Sequence, residues 1–116
     1  MAHDLVIERA EGDAGCDVLR LTGRIDARSA SHLIEECRDT LLAERHLILN
    51  LAGVTFLSSS GIGTLLVLSE RFEEIGKSVR FASASELVRS SIELLSLESF
   101  LKFHDSEDEA RRKLAA

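Results

Sequence analysis

Hydrophobic and polar positions in this chain alternate between two spacings. Residues 5–8 and 16–22 are short runs of β-type residues separated by Glu11-Gly12-Asp13-Ala14-Gly15, a turn-forming stretch that predicts a hairpin. Gly23 closes the second run. Over residues 28–42 the spacing changes, with Ala30, Leu33, Ile34, Cys37, Leu41 and Leu42 recurring at steps of three and four, which predicts a helix with one buried face. Leu47-Ile48-Leu49-Asn50-Leu51 is almost continuously apolar, as expected of a central strand covered on both faces. A second helix puts Ile62, Leu65, Leu66, Phe72 and Ile75 on one face, and Gly76 supplies its stop.

Residues 79–82 form the next strand. Ser83-Ala84-Ser85-Glu86 has capping-box spacing ahead of a helix carrying Leu87, Val88, Ile92, Leu94 and Leu95. A short strand over 100–103 follows. Ser106-Glu107-Asp108-Glu109 is a second capping box, and Arg111-Arg112-Lys113 at the far end of that last helix complements its dipole on a solvated face. Strands alternating with helices predict an α/β layered fold, mostly parallel after the initial hairpin, with no linker, repeat or low-complexity segment.

At 116 residues the chain is expected to be one domain over 1–116, large enough to bury roughly two-thirds of its unfolded surface. Phe is the only aromatic, so stacking platforms for bases are essentially absent. The balance of 20 acidic and 14 basic residues, net −6, repels phosphate backbones and anionic lipid alike. These features argue against nucleic-acid binding and for a soluble protein partner. No apolar stretch approaches a membrane span, and the start of the chain lacks a basic region followed by an apolar run, so a cytoplasmic protein without membrane insertion is expected. Cys16 and Cys37 have no His at ligand spacing and fit reduced, partly buried thiols, with a single disulfide left open.

The candidate chemistry lies between the central strand and the second helix, where residues 54–64 read Val-Thr-Phe-Leu-Ser-Ser-Ser-Gly-Ile-Gly-Thr. A helix start presents unpaired backbone N–H groups and the positive end of the dipole, which favours a phosphate. With Ser58 as N-cap, Leu57 and Ile62 take hydrophobic-staple positions and Ser60 falls at N2, an outward position for phosphorylation. Gly61 and Gly63 each cost about 1 kcal/mol relative to Ala inside a helix. Either close approach of a partner or tight packing of helix on strand would explain them.

Other chemistries fit worse. Gly61-Ile62-Gly63-Thr64 lacks the Lys of a nucleotide-binding loop, and Ser60 lacks the upstream Gly of a nucleophile elbow. His3, His32, His46 and His104 are scattered singly, and no carboxylate pair stands out, so no enzyme, metal or cofactor is expected.

The stretch from Leu49 to Gly63, Leu-Asn-Leu-Ala-Gly-Val-Thr-Phe-Leu-Ser-Ser-Ser-Gly-Ile-Gly, resembles the signature of the anti-sigma factor antagonists, the bacterial STAS domains. Thr22-Gly23-Arg24-Ile25-Asp26 resembles the family's Gly-x-Leu-Asp segment, and residues 88–97 and 103–110 resemble its C-terminal helix, strand and final helix. The resemblance implies a small mixed sheet of four to five strands packed by about four helices. It also implies a switch: the unphosphorylated domain binds an anti-sigma factor, often a serine kinase of the GHKL type, and phosphorylation by that kinase breaks the complex until a phosphatase resets it.

The family's acceptor position falls on Ser60, with Ser59 as the alternate. Asp26, Arg28, Ser58, Ser59, Gly61, Ile62 and Gly63 fall on the partner-binding surface that the resemblance implies. Two positions depart from the pattern, Ser58 and Asn50, where the family usually carries Asp, and both are expected to remove a carboxylate near the site. The alternative is a STAS scaffold or accessory subunit of an ABC-type lipid transporter or of a stress-sensing assembly.

Overall fold

The structure, a computed structural model, describes residues 5–10 and 15–115. The chain runs β1 (Leu5–Ala10), β2 (Cys16–Ile25), α1 (Ala30–Leu42), β3 (His46–Leu57), α2 (Ser59–Glu74), β4 (Val79–Ala82), α3 (Glu86–Leu94), β5 (Lys102–His104) and α4 (Glu107–Ala115). The five strands form one sheet in the order β1-β2-β3-β4-β5. β1 and β2 pair antiparallel, and every later pair is parallel, as the hairpin followed by strand–helix–strand units requires. The turn expected at 11–15 lies outside the described residues except for Gly15, but the β1–β2 pairing it implies is present.

The two faces of the sheet are covered unequally. Leu19, Leu21, Leu47, Leu49, Leu51 and Phe81 join Leu33, Leu65, Phe72, Val88 and Ile92 from α1, α2 and α3 in the main core. On the other face Val18, Ile48 and Ala82 meet Ala110 and Leu114 of α4. β3 thus sends Leu47, Leu49 and Leu51 one way and Ile48 the other, which is why its sequence reads as continuously apolar. Cys37 belongs to the main core and Cys16 to the opposite cluster, and both are free thiols. Burial drives the Cys37 thiol up to about 12, so it stays protonated and unreactive.

Several element boundaries differ from those expected. β2 does not stop at Gly23 but continues to Ile25, with register shifts against β3 on either side of residues 22–23. Gly23 adopts φ +113, open to glycine at no steric cost, so the strand bends without ending. β3 likewise runs on past Leu51 to Leu57. The cap of α3 is Ser85, whose Oγ accepts from the Val88 N–H at 3.2 Å, and not Ser83. Ser83 instead sits at φ +60 and ties the end of β4 to His104 and Asp105. β5 is Lys102–His104, starting two residues and ending one residue later than the sequence pattern placed it, and Phe100 is exposed. In α3 only Val88 and Ile92 are buried, and Leu87, Leu94 and Leu95 face outward.

Candidate functional site

β2 and β3 run parallel and end together, with Arg24 opposite Phe56 and Ile25 opposite Leu57. The chain leaves β2 into residues 26–29 and leaves β3 into α2, so both segments meet at the carboxyl edge of the sheet. In open α/β sheets this edge is where binding sites collect. The Ser58 N–H donates to the Ile25 carbonyl at 3.0 Å, clamping the two strand ends at the point where α2 begins.

Ser58 is the N-cap. Its backbone is extended, and its Oγ accepts the Gly61 N–H at 3.0 Å, satisfying one of the donors a helix start leaves open. Ser59 and Ser60 are therefore N1 and N2, both exposed, and neither hydroxyl has a hydrogen-bond partner among the described residues. The Ser60 carbonyl accepts the Thr64 hydroxyl at 3.0 Å, which fixes the first turn from its buried side. No acidic residue lies in that first turn, so no fixed negative charge opposes a phosphate there. At the other end, Gly76 at φ +76 donates to the Glu73 carbonyl while Lys77 donates to Phe72, a Schellman closure that confirms Gly76 as the stop.

The two glycines have different reasons. A Cβ on Gly61 would run into the Ile25 carbonyl and reach the Leu57 side chain at 3.0 Å, so Gly61 lets the helix start seat directly on the end of β2. A Cβ on Gly63 would meet nothing within 4 Å. Gly61 and Ile62 are buried and shape the site from beneath, whereas Gly63 is half-buried on its outer face.

The neighbouring loop is held by its own carboxylate. Asp26 Oδ1 accepts the backbone N–H groups of Arg28 at 3.0 Å and Ser29 at 3.2 Å, and Oδ2 lies 3.5 Å from Arg24 Nε. Partial burial opposes ionisation of Asp26, but these backbone donors and the Arg24 guanidinium outweigh it and hold the carboxyl below its ordinary value. The buried Ser29 Oγ closes the loop by donating to the Arg24 carbonyl at 2.8 Å. Arg28 is exposed on the outer side of this loop.

Arg24 and Phe56 were not singled out by sequence reasoning. The Arg24 guanidinium lies 4.0 Å from the centre of the exposed Phe56 ring while also pairing with Asp26, so a cation and an aromatic face border the serine cluster. The signal was an aromatic residue in a polar extended segment just ahead of the helix, where the main core no longer demands one.

Asn50 does not belong to this site. It lies seven residues before Leu57 on β3, roughly 20 Å away at strand spacing. Its Nδ2 donates to Glu107 Oε2 at 2.7 Å and its Oδ1 accepts the Ala52 N–H, so it fastens α4 to the sheet. Of the two departures, only Ser58 changes the site's charge. His46 and His104 serve the fold: His46 Nδ1 accepts the Ser78 N–H, and the buried His104 lies between Arg80 and Glu109.

This architecture recurs in known proteins. It is similar to SpoIIAA in its unphosphorylated form, an anti-sigma factor antagonist, at TM-score 0.76 and 18% identity, covering 96% of this chain and 98% of that one. SpoIIAA in its phosphorylated form, described as a Bacillus cell fate determinant, matches at TM-score 0.70 and 17% identity, over 92% and 98% of the two chains. An anti-sigma factor antagonist from Mycobacterium paratuberculosis gives TM-score 0.80 and 22% identity over 97% and 95%. The murine anion transporter Slc26a9 matches at 0.78 and 22%, over 91% of this chain and only 18% of the transporter. These likenesses establish the fold, and the STAS domain family model matches residues 9–110. With the paired strand ends, the capped serine cluster and helices on both faces of the sheet in place, the chain belongs to the STAS domain family.

Proposed function

We propose that this chain is an anti-sigma factor antagonist that binds an anti-sigma factor with serine kinase activity and is released when Ser60 is phosphorylated. The observation that carries the proposal is the exposed, unbonded Ser60 hydroxyl at N2 of a helix whose cap, Ser58, is already satisfied. A phosphate there adds about −1.5 to −2 charges to a face that carries none of its own in the first helical turn. The partner surface comprises Asp26, Arg28, Ser58, Ser59, Ser60 and Gly63, with Gly61 and Ile62 supporting it from below. Ser59, equally exposed at N1, is the alternate acceptor. The protein acts by binding and not as an enzyme, and a phosphatase restores the binding form.

Affinity capture from lysate with wild-type, Ser60→Ala and Ser60→Asp baits tests this, followed by ATP addition and phosphopeptide mapping. The expected outcome is a GHKL-type kinase on wild type and Ser60→Ala, little on Ser60→Asp, and ATP-dependent release of wild type alone. A second reading, a constitutive STAS scaffold or accessory subunit, is favoured by the fold likeness to part of Slc26a9. Equal recovery of transporter or sensor-assembly subunits on all three baits, insensitive to ATP, would replace the first reading by the second.

A further inference from the structure

A separate cleft of about 270 Å³ lies between the C-terminal half of α2 and the segment that joins α3 to β5. Leu66, Ser69, Glu70 and Glu73 line it from the helix, and Leu97 and Phe100 from the segment. Ser69 is nine residues along α2 from Ser60, roughly 13 Å by helical rise, so the cleft is distinct from the serine face. Two observations bear on its occupant. Phe100 is 62% exposed beside a mostly apolar floor, an arrangement that leaves a large ring half-wet. Glu70 and Glu73, one turn apart on the rim, form no ion pair among the described residues. Lys102 shares an adjoining small cleft with Glu73 but is not paired with it.

The volume falls just below the range of pockets that enclose whole small molecules, about 300–1,000 Å³, and suits an apolar side chain or two presented by a larger body. We infer that this cleft docks a basic amphipathic helix of a protein partner. An apolar anchor enters between Leu66, Leu97 and Phe100, and Lys or Arg side chains on the flank of that helix meet Glu70 and Glu73. The charge complementarity selects a basic helix over an acidic one, and the net charge of −6 favours its approach. Such a contact lets the protein hold one partner here while the serine face is occupied or phosphorylated.

The test titrates the isotope-labelled full chain with a short amphipathic helical peptide built of Leu and Lys, and separately with its Leu and Glu counterpart. Expected are saturable amide shifts confined to the second half of α2 and residues 97–101 with the basic peptide only. Affinity should weaken about tenfold in Glu70→Gln/Glu73→Gln and in Phe100→Ala, and stay within about twofold in Ser60→Asp and in the charge-matched control Glu35→Gln/Asp39→Asn. Equal weakening by the charge-matched control, equal binding of the acidic peptide, shifts mapped elsewhere, or no saturable binding each overturns the inference. Sedimentation of the free chain covers the remaining occupant: a dimer that Phe100→Ala dissolves assigns the cleft to a second copy instead.

Discussion

At the scale of single residues the two glycines of α2 separate packing from recognition. Gly61→Ala forces a Cβ against the Ile25 backbone carbonyl, which cannot rotate away, and should destabilise the fold by about 1–3 kcal/mol. Gly63→Ala meets open space and gains helix propensity, so it should leave stability unchanged or raise it by up to about 1 kcal/mol. If the proposed partner's backbone comes close at this point, the same change lowers affinity for that partner while the melting temperature holds. Urea denaturation beside a binding titration of both variants resolves the pair, and a destabilised Gly63→Ala would contradict the assignment. Ser58→Ala removes the Oγ that accepts from Gly61 and should cost about 1 kcal/mol. The sequence marked both glycines as unusual but could not divide them, because the division depends on what the end of β2 brings alongside. The same is true of Asn50, which lies near the serines in the chain and far from them along β3, fastened to Glu107.

Among the elements, those with a strong period were legible and those that depend on their neighbours were not. α1 and α2 carry long apolar stripes, and their positions followed from spacing alone. The outer ends of β2 and β3 did not, since Thr22, Thr55 and Phe56 face outward and the strands persist there only because they pair with each other. The cap of α3 was displaced from Ser83 to Ser85 because Ser83 is held at φ +60 against residues 104 and 105, a contact between segments about 20 residues apart. α3 is also the least anchored helix of the main layer, with only Val88 and Ile92 buried. Truncating one of those anchors, Ile92→Ala, should cost about 2–4 kcal/mol. Removing the exposed Leu94 side chain, Leu94→Ala, should cost within about 0.5 kcal/mol. Thermal denaturation of the two variants checks this, and a comparable loss in Leu94→Ala would mean that the outer face of α3 is covered in the folded protein.

For the molecule as a whole, acid stability follows from groups that tie distant segments together. Asp17, partly buried against its ionisation, is nevertheless held below its ordinary value of 3.8 by Thr40 and Arg45, linking β2 to α1 and to the start of β3. Glu107 is held below 4.5 chiefly by its hydrogen bonds with Arg20, and further by Asn50, linking α4 to the sheet. Between the folded and ordinary values the unfolded chain binds more protons than the fold, so stability rises with pH through that window. The contribution is complete above about 4.5 and is lost as pH falls through the depressed folded values. His46 acts in the same direction but earlier. Its burial, with Lys77 and Arg80 nearby, keeps it neutral in the fold below its ordinary 6.5, whereas the unfolded chain takes up the proton first. The melting temperature should therefore be flat above about pH 7, decline gently as pH falls through about 6.5, and drop steeply below about 4.5. His46→Asn, whose Oδ1 can still accept the Ser78 N–H, should remove the gentle phase, and Glu107→Gln should blunt the steep one. Calorimetry across this range decides the matter: stability that rises on acidification below pH 6.5 would reverse the sign assigned to His46, and an unblunted acid limb in Glu107→Gln would show that α4 does not share in the cooperative unfolding of the sheet.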